Sequence, residues 1–386
     1  MDAVDVLQSV QKLAADFAAE RAHRQSRRNL DPKDFEALRK TGFPRLVLPA
    51  SRGGLWAGVP RTVRAISCSL RAMARGDASV ALVSAMHPAV LSYWLTAPED
   101  LASKEWKEQH EAVFRSVADG AWWGTVTSEP GSGGDVRKSR AEARRDSTQA
   151  YRITGRKHFG SGTGVVAFMI TTAIPEGEEQ PDWFFVDLRG APLDGSRGAK
   201  VSAAWDGHGM TATQSHALEF DAFPATRFAW QGNLLEVSRR AGSFIACLFT
   251  SVVAGVVDVA VETAGAALAG RQRNAFEQTE WTRARMEAWL LSQAVEGMLR
   301  AVESGADARL EALQGKTAAS ELAETVLTRL CRILGGGTYS ARSPFGWWFE
   351  DVRALGFLRP PWSLAFETLA ELDPLTGASG PAPPPT

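Results

Sequence analysis

The sequence is poor in the residues that disulfide and metal sites need. It has only three cysteines in 386 residues, Cys68, Cys247 and Cys331. They show no CxxC spacing and no nearby histidine partners, so neither a disulfide framework nor a zinc site of the usual spacing is expected. The three thiols are predicted to be reduced and to lie in the core of a cytoplasmic protein.

An excess of charge of one sign is also missing. The chain has 43 lysines and arginines against 44 aspartates and glutamates, which gives a net charge of −1 at pH 7. Such a chain has no overall attraction to nucleic acid or to an anionic membrane, and we expect neither as a partner. The arginine-rich residues 21–28 are interpreted as a solvated helix face.

Hydrophobic runs long enough to cross a bilayer are absent as well. The most apolar stretch, residues 244–257, is shorter than the roughly 20 residues that a spanning helix needs. Asp258 and Glu262 interrupt its continuation, so a buried helix is predicted there. The first residues carry no apolar segment typical of a secretory signal.

The patterns that are present divide the chain into three parts. Apolar residues recur every three or four positions over residues 1–116, which predicts an N-terminal helical domain. Short β-rich runs broken by glycine and proline predict a middle β-domain over residues 117–230. Long helical segments over residues 231–372 favour a four-helix bundle, and the proline-rich residues 373–386 are expected to be a disordered tail. The predicted fold class is therefore α+β.

Several stretches resemble motifs of one enzyme family. Residues 124–136 read GTVTSEPGSGGDV and residues 151–162 read YRITGRKHFGSG. They resemble the T-E-P-G-S-G-S-D loop and the G-x-K-x-W-I-T-N-G strand of the acyl-CoA dehydrogenase family. Residues 205–224 resemble the strand pair that closes the family's β-domain, although Thr211 replaces the usual arginine. Residues 333–339, ILGGGTY, are similar to the family's Q-I-x-G-G-x-G-Y/F signature.

The resemblance, which covers about residues 30–360, implies an FAD-dependent oxidoreductase with this family's fold. Arg273 and Phe276 lie in a stretch similar to the family's R-x-x-F-G, whose arginine reaches the FAD of a neighbouring subunit, so a homodimer or homotetramer is expected. Gly134 and Trp362 are implied substrate contacts. The implied cofactor contacts are Thr125, Thr127, Ser128, Gly133, Phe159, Ser161, Arg273, Phe276, Gly335 and Gly336.

The glutamate that removes a substrate proton in the family's dehydrogenases has no counterpart here. Its usual position, counted from the glycine signature, falls on Arg359, and its second known position falls on Cys247. An arginine stays protonated, with a pKa above roughly 12, and cannot be a general base. A dehydrogenase would therefore need another base, for which Glu350 and Glu367 are the candidates.

Other residues resemble the family's flavin-dependent monooxygenases, which lack that glutamate and use reduced flavin with O2. Residues 157–162 are similar to their K-x-F-x-S-G, and residues 205–209 to their W-D-x-x-G. Ser79 and His87 resemble their N-terminal helix, where a histidine faces the O2 pocket of the flavin.

The preferred hypothesis is a monooxygenase or oxidase that acts on an acyl thioester, bound to CoA or to a carrier and possibly aromatic or cyclic. Three catalytic residues are expected. Arg359 would stabilise developing negative charge, His87 would act at the oxygen pocket, and Ser161 would hydrogen-bond the flavin edge. The alternatives are an acyl-CoA dehydrogenase with an unusual base and a non-catalytic flavoprotein.

Overall fold

The structure, a computed structural model, describes residues 2–98, 100–101, 103–146 and 150–372. The tail predicted at residues 373–386 lies outside the described residues. The described chain runs through a helical part, a β-sheet and a second helical part, in the order that the sequence patterns predicted. The first set of helices ends at Ala118, the strands run from Trp123 to Arg227, and the second set of helices begins at Leu234. The division of the chain into independent domains stays a prediction.

The first helical part surrounds one helix that is buried on all sides. Its helices are α1 (Ala3–Ala19), α2 (Arg21–Ser26), α3 (Pro32–Lys40), α4 (Val59–Gly76), α5 (Ala78–Leu95) and α6 (Lys104–Ala118). Helix α5 starts at Asp77, whose carboxylate accepts a hydrogen bond from the Val80 amide at 2.9 Å, as N-cap residues do. Every residue from Ser79 to Trp94 is buried, so α5 has no solvent-facing side.

The middle part is a seven-stranded mixed sheet. Its strands are β1 (Trp123–Thr125), β2 (Glu142–Arg145), β3 (Ala150–Gly160), β4 (Phe168–Pro175), β5 (Asp182–Asp187), β6 (Ala199–Ala203) and β7 (His216–Arg227). Antiparallel β3 and β7 form the longest pairing. Strands β4, β2, β3, β7 and β5 pair in a closed ring, and β1 lies beside β4 in parallel.

The second helical part is organised around one long helix. Its helices are α7 (Leu234–Leu268), α8 (Ala275–Glu303), α9 (Arg309–Leu334), α10 (Pro344–Phe357) and α11 (Trp362–Leu372). Helix α7 contacts α4 and α5 of the first part as well as α8, α9 and α10. At the crossing with α4, a Cβ on Gly255 would lie 2.1 Å from the Arg71 carbonyl oxygen, so only glycine permits this approach.

Helices α5 and α7 are long and apolar enough to cross a membrane by length and composition alone. Both are covered by protein, since 89% of α5 and 83% of the most apolar 18-residue stretch of α7 are buried. This burial confirms the prediction of a buried helix over residues 244–257.

Candidate active site

A cavity of about 1010 Å³ lies where the sheet meets α5, α7 and the segment after α10. Residues 125–134 and 158–161 form its polar wall, α5 and α7 form an apolar wall, and residues 357–361 close it. The volume is at the upper end of the range for ligand and cofactor sites, which are typically about 300 to 1,000 Å³.

The polar wall contains a chain of three hydroxyls. The Ser215 Oγ lies 2.8 Å from both the Ser161 Oγ and the Thr213 Oγ1, and the Thr213 hydroxyl donates to the Met210 carbonyl at 2.8 Å. Each hydroxyl has a single proton. Because Thr213 gives its proton to Met210, Ser215 donates to Thr213 and Ser161 donates to Ser215. Ser161 therefore offers lone pairs to the cavity and can accept a hydrogen bond there.

Phe159 presents its ring at the mouth of the cavity. Its φ is 60°, an uncommon backbone conformation for a residue with a side chain. It lies where the register of β3 against β7 shifts, between Lys157 and Gly160. The side chain is 55% exposed and meets the Trp205 ring edge-on, with centroids 6.2 Å apart. The mouth thus offers an aromatic surface to a flat ligand.

Arg359 lines the cavity directly after α10. Its guanidinium donates a hydrogen bond to the Thr127 hydroxyl. Burial lowers the pKa of Arg359, but arginine keeps its charge in proteins. Among the described residues no carboxylate forms an ion pair with it, and nearby Asp135 is bound by Arg137 at 2.8 Å. The structure therefore brings Arg359 to the cavity without an ion pair among the described residues, and the charge of nearby Asp135 acts only to raise its pKa against the effect of burial.

One buried ion pair supports the polar wall. The Lys157 ammonium, fully buried, donates to Glu129 Oε1 and to the Thr172 carbonyl, each at 2.5 Å. Glu129 also accepts from the Ser139 hydroxyl at 2.5 Å. Although burial opposes it, the Lys157 charge and these hydrogen bonds hold the pKa of Glu129 below its ordinary value. Glu129 is thus an ionised carboxylate with its acceptor sites occupied, which makes it a poor general base.

The other base candidates differ in position. Glu350 lines the cavity, where Arg353 donates to it at 2.7 Å. Glu367 is exposed on α11 and does not line the cavity. Cys247 is buried in α7, and burial raises the pKa of its thiol to about 12, so it stays protonated at neutral pH.

His87 does not line the cavity, contrary to the expectation that it faces the oxygen pocket. Its Nδ1 accepts from the Trp123 amide at 3.1 Å, and its ring packs 4.9 Å from that of Trp122. Burial lowers the pKa of His87 to about 3, so it is neutral.

The helical period explains this orientation. The cavity side of α5 presents Leu82, Met86, Ala89 and Tyr93, which share a face at 100° per residue, whereas His87 points about 140° away from Leu82.

The remaining sequence-predicted residues separate into two groups. The structure brings Thr125, Thr127, Ser128, Gly133, Gly134, Phe159 and Ser161 together around the cavity. It does not bring Arg273, Phe276, Gly335, Gly336 or Trp362 there.

The second group lies elsewhere for visible reasons. Arg273 and Phe276 lie at the start of α8, where the Phe276 side chain is 56% exposed, and a contact to a flavin would need a neighbouring subunit. Gly335 and Gly336 follow α9. The Trp362 ring packs against Gly356 and stacks on Phe366 at 6.2 Å, which places it outside the residues that line the cavity.

Sequence reasoning missed the apolar wall. Tyr93, Ile245 and Phe249 line the cavity from α5 and from the apolar stretch of α7, where nearly every side chain is apolar. The spacing Leu82, Met86, Ala89, Tyr93 was the available signal, but it does not distinguish a cavity face from an ordinary core face.

Comparison with known proteins agrees with this architecture. Residues 124–223 match the family model described as acyl-CoA dehydrogenase, middle domain. The chain is 26% identical over 380 residues to L-evernosamine nitrososynthase from a Micromonospora species, an alignment that covers 89% of this chain and 83% of the relative.

Two solved structures are similar over nearly the whole chain. KijD3, in complex with FMN and a dTDP-linked amino sugar, superposes with a TM-score of 0.80 at 22% identity, covering 96% of this chain and 93% of that one. FMN-bound TdsC from Paenibacillus sp. superposes with a TM-score of 0.77 at 18% identity, covering 95% and 96%. At this identity the likeness shows the fold. The chain therefore carries the acyl-CoA dehydrogenase middle domain at residues 124–223 within an acyl-CoA dehydrogenase-like fold, which confirms the resemblance seen in its motifs.

Proposed function

We propose that this chain is a flavin-dependent monooxygenase that oxidises a small molecule inside the cavity. The observation that carries the proposal is Arg359, which lines the cavity with no carboxylate partner among the described residues. The dehydrogenase reaction needs a base, and this residue cannot be one. A bound reduced flavin would supply the two electrons with which O2 gives one oxygen atom to the substrate and the other to water.

The cavity residues fit a flavin. The Thr127, Ser128 and Ser161 side chains give the wall hydrogen-bonding groups, and the exposed Phe159 ring offers a flat surface. Because the hydroxyl chain leaves Ser161 as an acceptor, it suits an N–H at the edge of a reduced ring system. The volume of about 1010 Å³ leaves space for a ring-sized substrate beside the cofactor.

We further propose FMN as the flavin. The prediction of FAD over FMN depends on the flavin loops and on Arg273. Arg273 lies outside the cavity of the single chain and would need an oligomer that brings it to a neighbouring subunit. KijD3 and TdsC were both solved with FMN, which supports the shorter cofactor. Release of the bound flavin by heat and its identification by mass distinguish the two.

An acyl thioester stays a candidate substrate, since its carbonyl oxygen would accept a hydrogen bond from Arg359. The cytoplasm stays the proposed location, and the three free cysteines support it.

The competing function is an acyl-CoA dehydrogenase with an unusual base. Glu350 favours it, because this carboxylate lines the cavity. Its contact with Arg353 opposes it, because the Arg353 guanidinium occupies a Glu350 oxygen at 2.7 Å that a base would need for the substrate proton.

Labelled oxygen distinguishes the two reactions. Protein loaded with reduced FMN under anaerobic conditions is mixed with ¹⁸O2 and a probe set of indole, butyryl-CoA and benzoyl-CoA. A monooxygenase places one labelled atom in a product. Bleaching of oxidised flavin by an acyl-CoA without O2 would instead establish the dehydrogenase, and failure to bind either redox form of the flavin would refute both enzymes.

A further inference from the structure

We propose that the cavity selects an apolar, ring-sized ligand that carries one oxyanion, such as a carboxylate, seated on Arg359 and Tyr93. The identity of this ligand as a substrate rests on the proposed monooxygenase function. The anion site itself rests on burial, charge and unsatisfied hydrogen-bond donors.

The first argument is the number of free donors on Arg359. A guanidinium has five N–H groups, and among the described residues its one side-chain partner is the Thr127 hydroxyl. No Arg359 nitrogen is both fully buried and without a hydrogen-bond partner. The N–H groups that Thr127 does not use therefore open on the cavity that Arg359 lines.

The second argument is local charge. Lys157 is balanced by Glu129 at 2.5 Å, and Asp135 is balanced by Arg137 at 2.8 Å. Arg359 is half-buried and forms no ion pair among the described residues, so one positive charge at the cavity has no direct partner. Such a charge is costly unless an opposite charge joins it, and a carboxylate can pair with a guanidinium through two parallel hydrogen bonds.

The third argument is a second donor near the first. Tyr93 lines the cavity and is 8% exposed, and its hydroxyl has no hydrogen bond to any residue that the structure describes. Burial raises the pKa of Tyr93, with the Arg359 charge acting in the opposite direction, so the phenol keeps its proton. Because both side chains line one cavity and their charges interact, the neutral phenol and the guanidinium supply two donors for one oxyanion.

The remainder of the wall limits what the oxyanion can be attached to. Met86 and Val90 on α5, with Ile245 and Phe249 on α7, line the same cavity. These side chains have no hydrogen bond to offer and favour an apolar body. One half-buried cation without an ion pair matches one anionic group, whereas a thioester presents only a neutral carbonyl.

The test measures binding without turnover. The protein is loaded with oxidised FMN, and calorimetry gives the dissociation constants of indole-3-carboxylate and of indole, which differ only in the carboxylate. We expect the wild type to bind the carboxylate at least tenfold more tightly. Arg359→Gln should abolish this preference with little change in indole binding, and Tyr93→Phe should reduce it several-fold.

Two controls make the result specific. Lys138→Gln removes an exposed positive charge close to the cavity wall and should leave the preference intact, which excludes a general electrostatic effect. The neutral S-benzoyl-N-acetylcysteamine, compared with benzoate, tests the thioester directly.

Equal binding of indole and its carboxylate by the wild type, a preference that persists in Arg359→Gln, or tighter binding of the thioester than of benzoate would each overturn the proposal. If Arg359→Gln does not fold, Tyr93→Phe still tests it. An Arg359-dependent preference without oxygen transfer would retain the anion site and reject the monooxygenase.

Discussion

Arg359 donates a hydrogen bond to the hydroxyl of Thr127, a residue 232 positions earlier in the chain. This contact joins the segment after α10 to the loop after β1 across the wall of the cavity. It fixes the direction of a guanidinium that would otherwise be free to turn, since an arginine side chain has many rotamers.

Removal of the Thr127 hydroxyl should weaken ligand binding while the fold is kept. Thr127→Val preserves the shape of the side chain but leaves Arg359 without its acceptor. A hydrogen bond to a charged group contributes about 1.5 to 3 kcal/mol, so the affinity for indole-3-carboxylate should fall by roughly tenfold or more, as calorimetry would show. Thr325→Val, at a half-buried position of α9 that does not line the cavity, is the control. An unchanged affinity in Thr127→Val would mean that Arg359 is held by other contacts.

His87 should influence stability at acid pH and leave flavin chemistry unchanged. Its folded pKa is about 3 against an ordinary 6.5, so the unfolded chain binds the extra proton between these values. This contribution to stability is complete above pH 6.5 and is lost as the pH falls toward 3, at up to about 1.4 kcal/mol per pH unit.

Chemical unfolding of His87→Gln across pH 3 to 7 measures this effect. The variant should show a flatter dependence than the wild type, and the rate at which bound reduced flavin reacts with O2 should not change. His23→Gln, at an exposed site, is the matched control. A slowed flavin reaction would place His87 in the oxygen chemistry after all.

Asp351 should make the folded protein less stable as the pH rises, which is the opposite of the effect of His87. It lies on α10, and its Oδ1 accepts from the Met210 amide at 2.6 Å. Burial, with the charges of Asp77 and Glu350, raises its pKa to about 7 from an ordinary 3.8. The folded protein therefore retains a proton that the unfolded chain releases, and this contribution to stability is present below pH 3.8 and lost as the pH rises to 7.

Asp351→Asn keeps an oxygen acceptor for Met210 without the ionisation. The variant should gain stability relative to the wild type as the pH rises from 4 to 7, which thermal unfolding at several pH values would show. Asp16→Asn, on an exposed face of α1, should show no such trend. A parallel pH dependence in wild type and Asp351→Asn would disprove the raised pKa.

Two neighbouring glycines offer a matched test of residues 357–361, the segment that closes the cavity. A Cβ on Gly134 would lie 3.0 Å from Pro361 Cγ, whereas a Cβ on Gly133 would have nothing within 4 Å. Both residues have positive φ, +83° and +62°, so alanine costs roughly 1 to 2 kcal/mol of backbone strain at either position. Gly134→Ala should in addition displace the segment that carries Arg359 and weaken indole-3-carboxylate binding several-fold more than Gly133→Ala does. Equal losses of affinity in the two variants would show that residues 357–361 accommodate the added methyl group without displacing Arg359.

The sequence allowed the polar wall of the site to be predicted because its residues lie in continuous motifs. Thr127, Ser128 and Phe159 sit in two stretches of loop and strand, and Arg359 follows a glycine signature by a fixed distance. Because a continuous motif determines the local backbone conformation, the positions of these residues at the cavity could be predicted from the sequence alone.

The rest of the site depends on how separate elements pack. The hydroxyl chain from Ser161 to Thr213 forms only because β3 and β7 pair, with Gly160 opposite His216. The direction of His87 depends on which face of a uniformly apolar helix meets the sheet, and such a helix has no hydrophobic asymmetry to indicate it. Tyr93 was missed for the same reason.

The 35-residue helix α7 has a consequence for synthesis of the chain. Its most apolar 18-residue stretch has a mean hydropathy of 2.3 and is 83% buried. Part of the protein that covers α7 comes from α8, α9 and α10, which the ribosome makes later. Until those helices emerge, a nascent chain presents a surface that water solvates poorly and that chaperones or a lipid bilayer would retain. The helix that forms the core of the folded protein therefore exposes the nascent chain to aggregation until α8, α9 and α10 have been synthesised.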